Sequence, residues 1–214
     1  MLLNIFHQSI YFYLLNTFLL TRLEQNQLTP AQQAQMKALS LEREYYRRKR
    51  DAEADNTSEA YKTNQYRVTQ ASQKLGEAAA EAYVLNRDPA AQKLYPQPGD
   101  QTAAGVFDQV WRLSDGKLIV IEAKGGSSPT GTREIRSNAS SKNLGKIAEQ
   151  GSTEYLYEII ASMRNKGGNA RNIAVLIEKA IRDGKFEYGL VRQKIDGNSL
   201  APIEYQKFII KKPE

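Results

Sequence analysis

The sequence predicts an α/β fold, a mixed sheet flanked by helices, with a helical extension in front of it. Three observations lead there. Two apolar stretches, Val106 to Leu113 and Lys117 to Gly126, flank Ser114-Asp115-Gly116 and read as a strand pair apolar on both faces. Tyr66 to Asn86 and Asn172 to Asp183 carry apolar residues at helical spacing. Lys185 to Ile195 and Pro202 to Ile210 alternate around Asp196-Gly197-Asn198, as a second hairpin does. A strand pair apolar on both faces implies helices packed on both sides of the sheet.

Composition narrows the chemistry. The 214 residues suffice for one core of ordinary domain size plus an extension. There is no cysteine, which excludes disulfides, cysteine–zinc sites and thiol catalysis. The single histidine, His7, stands in an apolar N-terminal segment. Serine–histidine triads, histidine-based nucleases and most zinc hydrolase sites therefore lack their parts unless His7 folds back into the core. Carboxylate, lysine and a divalent cation are what this alphabet supports best. A net charge of +6 and an isoelectric point near 9.3 suit an anionic partner.

Met1 to Leu20 is rich in Leu, Ile, Phe and Tyr, interrupted by Asn4, His7, Gln8, Ser9, Asn16 and Thr17. It lacks a basic start and a small-residue cleavage site, so no signal peptide is recognised, and its polar breaks argue against a stable membrane span. A helix packing on this chain or on a partner is the expectation. Leu28-Thr29-Pro30 with Gln33 reads as a helix start, Thr29 as N-cap and Pro30 at the first helical position. That helix runs to the basic cluster Arg47-Arg48-Lys49-Arg50, which either grips phosphates or is a solvated helix end complementing the dipole. Asp51 to Asn64 is polar and reads as a boundary segment.

Tyr66 to Asn86 places Val68, Ala71, Leu75, Ala78, Ala82 and Leu85 on one face. Asp88 to Ala104, with three prolines and Gly99, reads as loop with a short strand near Leu94-Tyr95. Gly125 to Ser141 is rich in Gly and Ser and carries Arg133 and Arg136; beside a metal site such a loop contacts the substrate backbone, and otherwise it is a plain connector. Gly126-x4-Gly131 is not a phosphate loop, since Thr132 stands where the lysine is required. Leu144 to Asn165 reads as one helix with Ile147, Tyr155, Leu156, Ile159, Ile160 and Met163 as its stripe and a break at Gly151-Ser152. Asn172 to Asp183 is a second helix, ended by Gly184.

The strand pair carries the candidate site. A three-residue loop at Ser114-Asp115-Gly116 pairs Leu113 with Lys117 and brings Asp108 opposite Glu122. Alternation then puts Asp108, Glu122 and Lys124 on one face, with Phe107, Trp111, Ile119, Ile121 and Ala123 on the other. Charges inside an apolar strand are costly unless paired, hydrogen-bonded or metal-bound. Paired carboxylates can hold Mg²⁺, whose bound water becomes a nucleophile, and a lysine beside it can orient that water. The competing reading is a structural ion pair.

These residues resemble a known family. Asp108 followed by Glu122-Ala123-Lys124 at the end of an Ile-Val-Ile strand is similar to the PD-(D/E)xK, or restriction-endonuclease-like, nuclease superfamily; Phe107 stands where a proline is common. Gly105-Val106-Phe107-Asp108, Glu122 to Gly126, and Gln150-Gly151-Ser152 with Tyr155 resemble the C-terminal nuclease domains of bacterial polymorphic and contact-dependent inhibition toxins. The resemblance spans about Arg67 to Ile210, dividing the chain into an extension, 1–65, and a nuclease domain, 66–214. It implies a restriction-endonuclease-like sheet and Mg²⁺, or Mn²⁺ or another divalent cation, held by Asp108, Glu122 and the Ala123 carbonyl. Lys124 would position water, while Glu77 on the first core helix and Gln150 would assist. The Gln–Tyr spacing here is one residue longer than the common one, leaving open which tyrosine corresponds, and Glu77 reads equally as an exposed helix carboxylate. The implied activity is DNA cleavage by an antibacterial effector, delivered into a target cell's cytoplasm and restrained in its producer by an immunity protein. RNA cleavage on the same fold, and a non-catalytic nucleic-acid- or protein-binding module, are the alternatives.

Overall fold

The computed structural model describes residues 20–100, 102, 104–136, 143–197 and 199–211. The helix expected over Met1 to Leu20, with His7, lies outside them apart from its last residue. The fold is α/β: a six-stranded mixed sheet in the order β1-β8-β7-β4-β3-β2, flanked by four helices, with a small separate ribbon.

The chain enters through β1 (Leu20–Leu23), which pairs antiparallel with β8 (Ser199–Lys207) and was not legible as a strand. α1 (Pro30–Asp51) begins as expected: Thr29 Oγ1 accepts from Gln32 N at 3.2 Å, and the Gln32 side chain closes the capping box. Gln33 instead reaches back, donating to Gln25 O and Leu28 O. α2 (Glu59–Arg87) starts earlier than its apolar stripe, because Ser58 caps it by accepting from Tyr61 N. Position 65 consequently falls inside a continuous helix, along which α1 packs.

β2 (Gln92–Tyr95), β3 (Gln109–Arg112) and β4 (Leu118–Gly125) form an antiparallel run. The β3–β4 loop has the expected length: Leu113 N donates to Lys117 O at 2.9 Å, and Gly116 adopts φ +80. The pairs Gln109–Ile121, Val110–Val120 and Trp111–Ile119 follow that register. β5 (Thr132–Glu134) and β6 (Ile147–Glu149) pair as the ribbon. This corrects the helix expected from Leu144. Ile147 is exposed on β6, and the helix α3 (Thr153–Lys166) starts only at Ser152, whose hydroxyl accepts from Tyr155 N at 3.1 Å. α4 (Gly168–Arg182) follows, and β7 (Phe186–Asp196) then lies parallel to β4 and antiparallel to β8.

Two apolar layers hold the sheet. On one side Leu75 and Ala79 of α2 pack with Trp111, Ile119, Ile121 and Val191. On the other Leu156 and Ile160 of α3 and Ile173 and Ile177 of α4 pack with Val110, Val120 and Leu190. Phe107 belongs to this second layer, not to the face expected from alternation, because β3 begins only at Gln109. At the end of β4, α2 meets the sheet backbone to backbone. A Cβ on Gly76 would lie 2.8 Å from Gly125 N, and one on Gly125 would lie 2.1 Å from Ser72 O. Only glycine fits either position.

Candidate metal and phosphodiester site

Asp108 lies in the loop entering β3, and the β3–β4 register carries it opposite Glu122. Its Oδ2 accepts a hydrogen bond from Ala123 N at 2.8 Å, so the backbone of β4 itself fixes the carboxylate. Glu122 is 2% exposed. Its Oε1 accepts from the Tyr188 hydroxyl at 2.9 Å, and the Gln150 side chain lies within hydrogen-bonding reach. The two acids stand close enough to interact directly.

Burial sets the electrostatics. Desolvation, then the charge of Asp108, pushes the Glu122 carboxyl up to about 8, against help from Tyr188, Lys124 and Gln150. Desolvation likewise raises Asp108, opposed by the Ala123 N–H and Lys124 and reinforced by the charge of Glu77. Magnitudes decide what this means. Burying an ionised carboxylate costs several kcal/mol, whereas a hydrogen bond to a charged group returns about 1.5–3 kcal/mol. Tyr188 alone cannot sustain two charges here; the pair needs a proton or a cation.

Lys124 is partly buried beyond Glu122 and acts on both acids through its charge, without a direct ion pair among the described residues. Glu77, on the face of α2 nearest Asp108, accepts from Gln73 Nε2 at 2.9 Å. The Glu77 main-chain carbonyl accepts from Gln109 Nε2 at 2.8 Å, which ties this helix turn to β3. Among the described residues no three His, Cys, Asp or Glu side chains form a metal-holding group. Any cation here would lean on two carboxylates, main-chain oxygen and water, the donor set Mg²⁺ favours.

Gln150 is buried just before α3. Its Oε1 accepts from Gly131 N at 3.0 Å, and Gln150 N donates to Gly131 O at 2.8 Å. With the oxygen so engaged, the amide N–H groups are the ones left to face Glu122. Gln150 thus fastens the base of the β5–β6 ribbon to the acid pair. Tyr155 sits near both carboxylates, and burial first and their charges second raise its hydroxyl pKa.

The two loop arginines separate. Arg133, on β5, points inward: its Nη2 donates to Ser162 Oγ at 3.3 Å, its Nε stands 3.7 Å from Glu158 Oε1, and its charge reaches Tyr155. Arg136 is mostly exposed and engages Glu134, at 2.7 Å from Nη2. Sequence reading missed Tyr188. Nothing local to Phe186-Glu187-Tyr188 distinguishes it from a core aromatic; only the parallel pairing of β7 with β4, Val120 beside Tyr188, brings it to Glu122.

Comparison of the chain with protein-family models, with curated proteins and with solved structures returned no match. No helix among the described residues is long and apolar enough to cross a membrane.

Proposed function

We propose that the chain is a Mg²⁺-dependent nuclease that hydrolyses phosphodiester bonds in DNA. The observation that carries this reading is the pairing of buried Glu122 with half-buried Asp108, with the charge of Lys124 acting on both, at the end of an apolar strand where a carboxylate has no structural reason to be. Hard oxygen donors at that position suit a divalent ion, and Asp108, Glu122 and the Ala123 carbonyl would hold it. Such an ion, when bound, lowers the pKa of a water and stabilises charge on the phosphoryl oxygens. Asp108 stays oriented by the Ala123 N–H and Glu122 by Tyr188, which spares both acids reorganisation during the reaction. Lys124 supplies an ammonium that orients the attacking water and offsets negative charge. Glu77 adds negative charge on the α2 side, and the charge of Arg133 on the ribbon reaches Tyr155, which sits near both acids.

The test is digestion of plasmid DNA and of total RNA with and without Mg²⁺. Plasmid cleavage that needs Mg²⁺ and disappears in Asp108→Ala and Lys124→Ala supports the reading; cleavage of RNA alone replaces DNA as substrate. Full activity in both variants, or none in the parent chain, removes it. As a corollary carried by the sequence resemblance, the activity would serve an antibacterial effector delivered to a target cell and neutralised by a dedicated immunity protein. Growth arrest on expression, absent in Asp108→Ala, would bear this out.

A further inference from the structure

The first helix carries a cation that the candidate site does not contain yet borders. Arg43 extends from α1 across to the segment leaving β4, two residues past Lys124. Its Nε donates to Ser72 Oγ at 2.8 Å, and Ser72 Oγ donates to Val68 O at 2.8 Å, so α2 fixes the guanidinium's orientation. The group lies flat on Gly126: a Cβ there would come 2.9 Å from Nε, 3.0 Å from Cζ and 3.1 Å from Nη2. Gly126, at φ +66, is what lets an arginine settle on this backbone.

Arg43 is left with donors to spare. Among the described residues it makes one hydrogen bond and no ion pair. Its neighbour Glu44 is engaged by Arg47 at 2.7 Å and Arg48 at 2.8 Å. Burial and the charges of Arg47 and Arg50 oppose its protonation, and only Glu44 among nearby charges favours it. A second arginine stands beside the same segment: Arg192, paired with Lys124 in the β4–β7 ladder, donates from Nη1 to Ser128 O at 2.6 Å. Two guanidiniums therefore bracket residues 126–128 where β4 runs out, just past Lys124. Guanidiniums held by their neighbours with donors left over bind phosphate oxygens without sequence preference.

We propose that Arg43 is a phosphate-contacting residue for duplex DNA, so that α1 supplies part of the substrate surface rather than being an appendage. The proposal rests on the nuclease reading for the identity of its ligand. Neutralising one phosphate contact lowers the slope of log affinity against log salt concentration by about one.

The experiment measures binding of the full chain in the Asp108→Asn background, with Mg²⁺, to a short fluorescent DNA duplex across a salt series. Arg43→Gln should lower the salt slope by about one and weaken binding, with an unchanged melting temperature. Arg43→Lys should restore the slope, because charge returns even though the bond to Ser72 does not. Arg48→Gln, which removes a like charge already held by Glu44, is the control and should leave the slope near the parent's. Equal slopes for parent and Arg43→Gln, or equal losses for Arg43→Gln and Arg48→Gln, overturn the proposal. Absence of DNA binding by the parent does so too. Cleavage with an unchanged slope would sink Arg43 and spare the nuclease; the slope change without any cleavage by the parent would do the reverse.

Discussion

The Tyr188 hydroxyl donates a 2.9 Å hydrogen bond to Glu122 Oε1 from the strand lying parallel to the one that carries the acid. The neighbouring strand thereby fixes one carboxylate oxygen, while Gln150 and Asp108 lie within reach of the same group. Removing the hydroxyl without changing the ring isolates this contact. Tyr188→Phe should lower apparent Mg²⁺ affinity by about ten- to a hundredfold while leaving the rate at saturating metal within a fewfold. Titration of Mg²⁺ in a cleavage assay reads both numbers, and an unchanged metal requirement would reduce Tyr188 to a core aromatic.

Stability should depend on pH through Glu122, in a direction opposite to that of most carboxylates. The folded chain holds this proton up to about 8, while the unfolded chain releases it near the ordinary value of 4.5. Between those values the unfolded state binds fewer protons, so stability falls as pH rises, and it levels off above the window. Without metal, melting temperature should decline between about pH 5 and about pH 8 relative to a Glu122→Gln variant. Saturating Mg²⁺ should stabilise most at the upper end, since uptake requires the ionised acid. Parallel melting curves for the two proteins would contradict this.

Asp108→Ala and Lys124→Ala should each reduce the cleavage rate by at least about a hundredfold, the scale seen when one charge-stabilising group is removed. Their circular dichroism should match the parent's. A rate that survives either change means the chemistry lies elsewhere.

Gly76→Ala weighs two opposed effects. Alanine gains about 1 kcal/mol in helix propensity. Its Cβ, however, would lie 2.8 Å from Gly125 N and Lys124 C, atoms of the main chain that cannot swing aside. Overpacking of this kind costs about 1–3 kcal/mol, so the net outcome is a loss. Because the displaced atoms belong to Lys124 and Gly125, activity should drop with the melting temperature. An alanine variant as stable and as active as the parent would show that α2 and β4 are less tightly apposed.

Arg87 forms a bidentate pair with Glu187, at 2.5 and 3.2 Å, and the Tyr205 hydroxyl donates to the same acid at 2.6 Å. Glu187 is 6% exposed. Arg87→Met leaves Glu187 with only the Tyr205 hydroxyl and Lys207 Nζ at 3.8 Å, and should destabilise by about 1–3 kcal/mol, with little change in the rate of whatever remains folded. Chemical denaturation measures the first and a cleavage assay the second.

The parts of the fold legible in sequence are those written in local patterns. Ser114-Asp115-Gly116 dictates loop length, loop length dictates register, and register alone brings Asp108 across from Glu122. The N-cap at Thr29 and the final hairpin around Gly197 are equally local. What escaped depends on distant partners. β1 is strand because β8 offers it an edge, and β6 is too short and too exposed to show a period. Ile147 joined an apparent helical stripe because the break at Gly151-Ser152 reads equally as an interruption within one helix or as the start of another, and only the cap at Ser152 decides it. Tyr188 reaches Glu122, and Arg43 reaches Gly126, only through tertiary packing, which no spacing encodes.

The second helix crosses position 65 without interruption, and the sheet takes its outermost strand from residues 20–23. Anyone transplanting residues 66–214 onto another carrier would therefore cut through an unbroken helix at 65. A splice there leaves a helix cut short, an exposed sheet margin and a lost arginine. A graft that begins at residue 20 keeps β1, α1 and the whole of α2 together, which makes the unit of exchange longer than 66–214.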